Sequence, residues 1–194
     1  DRAEDRHAFS KLLDRLDIDQ PAWVELTTHK AVAREALKIG YPVLVRPSYV
    51  LSGSAMKVAY DEVSLSKFLK RATDISDEHP VVISKFIENA REIEIDGVAS
   101  QGKLVIYAIT EHVENAGTHS GDATVVLPAQ RTYMETIRRA KQITKSIVKE
   151  LKITGPFNIQ FLAKDNHLQV IECNVRSSRS FPFVSKVTGY NFAE

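Results

Sequence analysis

The sequence predicts an α+β fold, with helices set apart from mostly antiparallel strands. Three observations carry that expectation. From Glu92 onward the acidic residues Glu92, Glu94 and Asp96 interleave with Ile93, Ile95 and Val98 at a spacing close to two, the period of a strand with one polar face and one core face. Near the C-terminal end two apolar runs, 157–163 and 168–174, flank the turn Lys164-Asp165-Asn166-His167 and read as paired strands. The segments with helical spacing stand apart from the strands, which suits α+β better than a βαβ series.

Taken in order, Phe9, Leu12, Leu13 and Leu16 recur at helical spacing and predict a first helix. A second is expected over residues 30–39, stopped by Gly40 and followed by Pro42. The period then changes. Val43-Leu44-Val45-Arg46 is a short apolar run ending in a charge, which predicts a buried strand that delivers Arg46 to an edge or cleft. A loop of small and polar residues, 48–54, leads to a strand near 56–60. Val63, Leu65, Phe68, Leu69 and Ala72 mark a third helix, and residues 81–86 form a further buried strand with Lys85 at its end, just before Phe86. Beyond the acidic alternation lie a long strand over 103–113, a turn-rich loop over 114–122 with Asn115, Gly117, Ser120 and Gly121, and a strand over 123–127. Ile137, Ala140, Ile143, Ile147, Val148 and Leu151 then give a long amphipathic helix. One bilobed domain is expected, with 1–86 supplying N-terminal helices and a smaller lobe and 87–194 a C-terminal lobe with a metal site.

At 43% hydrophobic and 26% charged, a chain of 194 residues can bury a core and falls in the soluble globular class. Lys plus Arg number 26 and Asp plus Glu 25, so no charge excess advertises nucleic acid or an anionic membrane. Apolar stretches such as 41–45 and 80–83 are far shorter than the roughly 20 residues a membrane span needs. The opening Asp1-Arg2-Ala3-Glu4-Asp5-Arg6 has the pattern of neither a signal nor a transit peptide and reads as the start of an excised piece. Cys173 is the single cysteine, so a disulfide framework or a cysteine-based zinc site within the chain is not expected, and a reducing compartment fits.

The candidate chemistry sits near the C-terminal end. Gln160 lies on one strand of the last pair and Glu172 and Asn174 lie two apart on the other, so Glu172 and Asn174 share a face while Cys173 points to the opposite one as a core thiol. Oxygen donors with few charges suit magnesium held jointly with nucleotide phosphates; the plain alternative is a solvated polar face. Arg176 and Arg179 follow in Asn174-Val175-Arg176-Ser177-Ser178-Arg179-Ser180, where guanidinium forks can hold a carboxylate or a transferring phosphoryl group. Arg46 precedes a loop with one glycine, Gly53, whose amides can cover phosphates; it is not a Walker A loop, because no Gly-Lys-Ser/Thr follows.

Four stretches carry a family resemblance: Val45-Arg46-Pro47-Ser48-Tyr49-Val50-Leu51-Ser52-Gly53-Ser54-Ala55-Met56, Glu111-His112-Val113-Glu114-Asn115-Ala116-Gly117-Thr118-His119-Ser120-Gly121-Asp122, Phe157-Asn158-Ile159-Gln160-Phe161 and Ile171-Glu172-Cys173-Asn174-Val175-Arg176. Together they resemble the second ATP-grasp unit of the carbamoyl phosphate synthetase large chain, over essentially all 194 residues. The loop after Tyr49 lacks the extra glycines of the first, bicarbonate-phosphorylating unit, and the Ser-Arg-Ser-Phe-Pro-Phe-Val-Ser-Lys run ending at Lys186 resembles the eukaryotic form.

The resemblance implies an ATP-grasp fold, two lobes of mostly antiparallel sheet clasping the nucleotide, and phosphorylation of carbamate by ATP to carbamoyl phosphate. It implies that Arg6 and Arg46 contact phosphates and that Lys85, Ile87 and Glu92 line the adenine and ribose pocket, Glu92 holding a ribose hydroxyl. Gly117, Thr118, His119 and Ser120 would form another nucleotide-side loop, with Thr118 where most relatives have Val. Gln160, Glu172 and Asn174 would bind Mg2+ or Mn2+, and Arg176 and Arg179 would orient carbamate with Asn174 beside them. Implied partners are ATP, carbamate, the rest of the synthetase large chain and a glutaminase domain or subunit, in the cytoplasm, or in mitochondria for a urea-cycle parent. Two other readings are another ATP-grasp ligase, such as a biotin carboxylase relative, and a nucleotide-binding regulatory module without turnover. The His119-Ser120-Gly121-Asp122 context argues against the first, and the complete ligand set against the second.

Overall fold

The computed structural model describes residues 3, 5–26, 29–47, 56–73, 81–118 and 122–194. Helix α1 (Arg6–Arg15) begins where the Asp5 side chain accepts the Ala8 amide at 2.8 Å, satisfying a donor that the first helical turn leaves open. Its face of Phe9, Leu12 and Leu13 is buried.

The chain forms two compact units, Pro21–Ile87 on the one hand and Asp1–Gln20 with Glu88–Glu194 on the other. The smaller unit runs β1 (Trp23–Leu26), α2 (His29–Ile39), β2 (Val43–Pro47), β3 (Lys57–Ala59), α3 (Glu62–Thr73) and β4 (Val81–Lys85). Its sheet is antiparallel, in the order β1, β4, β2, β3. Val32 and Ala36 of α2 and Leu65 and Leu69 of α3 pack on Val43, Val45, Ala59 and Ile83. Strand β1 has no counterpart among the expected elements, because Trp23-Val24-Glu25-Leu26 is too short to show a period.

The larger unit continues with β5 (Arg91–Ser100), β6 (Lys103–Asn115), β7 (Val125–Val126), α4 (Met134–Glu150), β8 (Gly155–Lys164), β9 (His167–Asn174) and α5 (Phe181–Thr188). These strands form one antiparallel sheet in the order β7, β6, β5, β8, β9. The β8–β9 turn places Asp165 and Asn166 at φ 48 and 64, the left-handed pair that a tight hairpin needs and that Asp and Asn tolerate well. The α+β class expected from the sequence is the class observed.

One face of this sheet, Ile93, Ile95, Phe157, Ile159, Phe161 and Cys173, packs against Phe9, Leu12 and Leu13 of α1 and Ala140, Ile147 and Val148 of α4. The first helix was expected with the smaller lobe; its apolar stripe instead places it in the core of the C-terminal unit. At Gly97 that packing reaches the backbone, since a Cβ there would meet the Phe157 ring at 2.7 Å and the Ile106 carbonyl at 2.9 Å. On the other face α5 covers one end, with Phe181 and Val184 against Ala108 and Phe192. Helix α5 was not expected, since eight residues give too few turns for a clear period, although Pro182 in its first turn and Gly189 at φ 73 just past its end are boundary signals. Among the described residues no helix is long and apolar enough to cross a membrane.

Candidate active site

Strand register decides which polar residues meet. Glu94 lies opposite Gln160 and Asp96 opposite Asn158 across β5 and β8. Gln160 in turn lies opposite Glu172, and Asn158 opposite Asn174, across β8 and β9. Residues directly opposite share a face, so two rows cross three strands, one of Glu94, Gln160 and Glu172, the other of Asp96, Asn158 and Asn174. The three expected oxygen ligands, Gln160, Glu172 and Asn174, thus share one face, and Cys173, 1% exposed, lies in the core behind it.

A register shift follows Gln160, because Phe161 pairs with Val170 and leaves Ile171 as an unpaired bulge residue. Arg6 Nη1 donates to the Ile171 carbonyl. The guanidinium expected at the phosphates is therefore engaged with the strand residue next to Glu172.

The acidic alternation on β5 is not a solvated face: Glu92 is 6%, Glu94 4% and Asp96 0% exposed. Buried carboxylates need donors, and β6 and β8 supply them. Glu94 Oε1 accepts from Gln160 Nε2 at 3.0 Å and lies 3.1 Å from His112 Nε2, and Glu94 Oε2 accepts from Asn158 Nδ2 at 3.1 Å. His112 Nδ1 stands 3.9 Å from Glu92 Oε2. Burial pushes Glu92 up to about 7, helped by the charges of Glu94 and Glu172 and opposed by His112. For His112 burial alone would lower the pKa, but the hydrogen bond with Glu94 and the nearby carboxylates Glu92, Glu94 and Glu114 outweigh it and raise it.

Two donor groups suited to a cation lie on this face. Ligand atoms of Glu92, Glu94 and His112 all fall within 4.8 Å of one another. The other group is Gln160, Glu172 and Asn174. Because Gln160 gives its Nε2 to Glu94, its carbonyl oxygen remains the end of the amide available to a hard cation.

Arg176 and Arg179 are exposed on the segment after β9, and Arg176 Nη1 donates to the adjacent Ser177 carbonyl at 3.3 Å. Past the end of β6, Gly117 has φ 110 and Thr118 bridges Ala116; His119 and Ser120 lie outside the described residues. Arg46, Lys85 and Ile87 belong to the smaller unit. There the Arg46 Nε lies 3.1 Å from Met56 Sδ, and Lys85 Nζ donates to the Gly40 and Tyr41 carbonyls at 2.9 and 2.7 Å. Four residues of the buried face had no role in the sequence reading: Glu94, Asp96, His112 and Asn158. Asn158 was detectable in principle, two positions before Gln160 on the same face, whereas His112 depends on the β5–β6 register.

Solved structures with this architecture define the class. The biotin carboxylase domain of Hydrogenobacter thermophilus 2-oxoglutarate carboxylase, in complex with MgADP and bicarbonate, matches 99% of this chain and 44% of its own with a TM-score of 0.82 at 19% identity. D-alanine–D-alanine ligase from Bacillus anthracis, complexed with ATP, matches 99% of this chain and 61% of its own with a TM-score of 0.75 at 21% identity. The fold is ATP-grasp, with two antiparallel sheets and five helices among the described residues. Within it, the chain belongs to the carbamoyl-phosphate synthase L chain ATP-binding domain family, whose sequence model matches residues 5–194. It is 59% identical over 194 residues to the multifunctional protein pyrABCN of Emericella nidulans and 57% identical over 194 residues to the multifunctional protein URA2 of Saccharomyces cerevisiae. It is 54% identical over 201 residues to the mitochondrial arginine-specific carbamoyl phosphate synthase large chain of Schizosaccharomyces pombe. All of this chain is covered in each case, but it spans only 8, 9 and 17% of those relatives.

Proposed function

We propose that this chain is the carbamate-phosphorylating unit of a carbamoyl phosphate synthetase, transferring the γ-phosphoryl group of ATP to carbamate. The observation that carries this reading is the gathering of Gln160, Glu172 and Asn174 on one half-buried sheet face immediately before Arg176 and Arg179. The short loop after Tyr49, with Gly53 as its one glycine, supports the second unit over the bicarbonate-phosphorylating first. The parent protein would supply carbamate and the ammonia behind it, through its other ATP-grasp unit and a glutaminase.

Phosphoryl transfer needs positioning and charge neutralisation more than covalent help. Magnesium held by Gln160, Glu172 and Asn174 would neutralise charge on the phosphate oxygens. A carbamate oxygen attacks the γ-phosphorus in line; the new O–P bond forms as the bond to the β-phosphate oxygen breaks, and ADP leaves. Arg176 and Arg179 hold the acceptor carboxylate and stabilise the transferring group, and Glu92 accepts a ribose hydroxyl.

The test is made in the full synthetase. Arg176→Ala should leave ATP affinity nearly intact and cut carbamoyl phosphate synthesis by about 10²-fold, the range for one preorganised electrostatic contact. Arg176→Lys should rescue little, because an ammonium lacks the planar fork. Bicarbonate-dependent ATPase activity should persist from the other unit. Loss of that ATPase instead, with ATP synthesis from ADP and carbamoyl phosphate intact, would assign this chain to the first unit.

A further inference from the structure

We propose that Asp96 is a positioning residue that clamps the arginine-bearing segment after β9 to the sheet face carrying the metal ligands. This rests on the reading of Arg176 and Arg179 as acceptor-binding groups.

Asp96 is fully buried, and its carboxylate accepts from groups tied to the site. Its Oδ1 accepts from Ser178 Oγ at 2.5 Å and from Asn158 Nδ2 at 3.0 Å, and its Oδ2 accepts from Ser180 Oγ at 2.6 Å. The two hydroxyls lie 2.8 Å from each other. Bonds this short between hydroxyls and a carboxylate are the charge-assisted kind. Ser178 and Ser180 bracket Arg179, and while both serines turn inward to the carboxylate, Arg176 and Arg179 remain exposed. A carboxylate holding both serines fixes the backbone from which the arginines project.

Helix α5 bears the consequence of that contact. Ser180 stands at its N-cap, where a serine oxygen ordinarily accepts a first-turn amide, but it makes no capping hydrogen bond. The hydroxyl goes to Asp96 instead. A local preference worth about 1 kcal/mol is thus overridden by a contact reaching 84 residues back in the chain. Asp96 is also linked to the ligands, since the Asn158 amide that it shares with Glu94 stands beside Asn174 in register, and Glu94 accepts from Gln160. Arginine segment and metal-ligand rows are joined by one hydrogen-bonded chain: Ser178 and Ser180, Asp96, Asn158, Glu94, Gln160.

The experiment uses the full synthetase carrying Ser178→Ala with Ser180→Ala, chosen because Asp96 itself is too deeply buried for a clean substitution. The double alanine variant should lower kcat for carbamoyl phosphate synthesis at least tenfold while KM for ATP stays within twofold of wild type. Ser180→Thr, which keeps the hydroxyl, should retain synthesis within threefold. Adding Arg179→Ala to the double variant should cost less than Arg179→Ala alone, because the guanidinium is already misplaced. Wild-type kcat in the double alanine variant, or a Ser180→Thr enzyme as impaired as its alanine counterpart, overturns the positioning role while leaving the arginine reading intact. Arg176→Ala and Arg179→Ala enzymes that synthesise at the wild-type rate overturn both.

Discussion

The two faces of the five-stranded sheet are built from alternating residues of the same strands, and both bury side chains, but they are held by different forces. Ile93, Ile95, Ile159 and Phe161 pack on α1 and α4 without directional bonds. Their immediate neighbours Glu94, Asp96 and Asn158 are buried only because donors and acceptors meet across the strands, and half-buried Gln160 adds a donor to Glu94. Apolar burial tolerates neighbours of roughly the right shape, whereas a buried carboxylate is costly unless each partner is in place. The polar face is therefore the one that stability alone does not favour, and it is the face on which the candidate ligands lie.

Substitutions at adjacent residues can break this contrast. Phe161→Ala, at a fully buried core position, should cost about 3–5 kcal/mol in thermal or denaturant unfolding of this chain. Its neighbour Gln160→Ala, which takes one donor from Glu94, should cost less, about 1–3 kcal/mol, but abolish most of the gain in ATP affinity that magnesium confers, measured by calorimetry with and without the ion. Undiminished magnesium dependence in Gln160→Ala would reduce the polar face to a structural network.

Glu92→Gln sharpens the comparison through pH. The folded-state pKa of Glu92, about 7, lies above its ordinary value of 4.5, so the folded chain retains a proton that the unfolded chain releases. Wild-type stability at this site therefore falls as pH rises from 4.5 through 7 and is flat beyond, a loss of order 3 kcal/mol at 1.36 kcal/mol per unit. Glu92→Gln should melt progressively higher than wild type between pH 5 and pH 8, and nucleotide affinity should weaken in the same variant. A melting-temperature difference that does not change with pH would show that Glu92 ionises as it would in water.

Gly97→Ala tests the apolar face at its tightest point. A methyl group 2.7 Å from the Phe157 ring forces that ring or the β6 backbone to move, at about 1–3 kcal/mol. The smallest effect is expected for Arg15→Ala, which removes an ion pair to Glu150 whose side chains are 60% and 38% exposed. Less than about 0.5 kcal/mol should be lost, and added salt should erase it.

Period and punctuation made most strands and helices of both units legible, from the acidic alternation at Glu92 to the Asp165-Asn166 turn. They also placed Glu172 and Asn174 on one face and Cys173 on the other, because a side-chain period of two is a property of the strand itself. The same alternation was silent on whether Glu92, Glu94 and Asp96 meet water.

What the sequence determined by itself was local: element type, turn chemistry, and the family that the long motifs resemble. Only the tertiary structure decided that α1 joins the C-terminal unit, that Glu94 meets Gln160, that His112 stands between Glu92 and Glu94, and that Ser180 serves Asp96 instead of its own helix. Each of these is a pairing across many residues. A strand's own period cannot specify its partner or its register, which are settled by the joint burial of surfaces from distant parts of the chain.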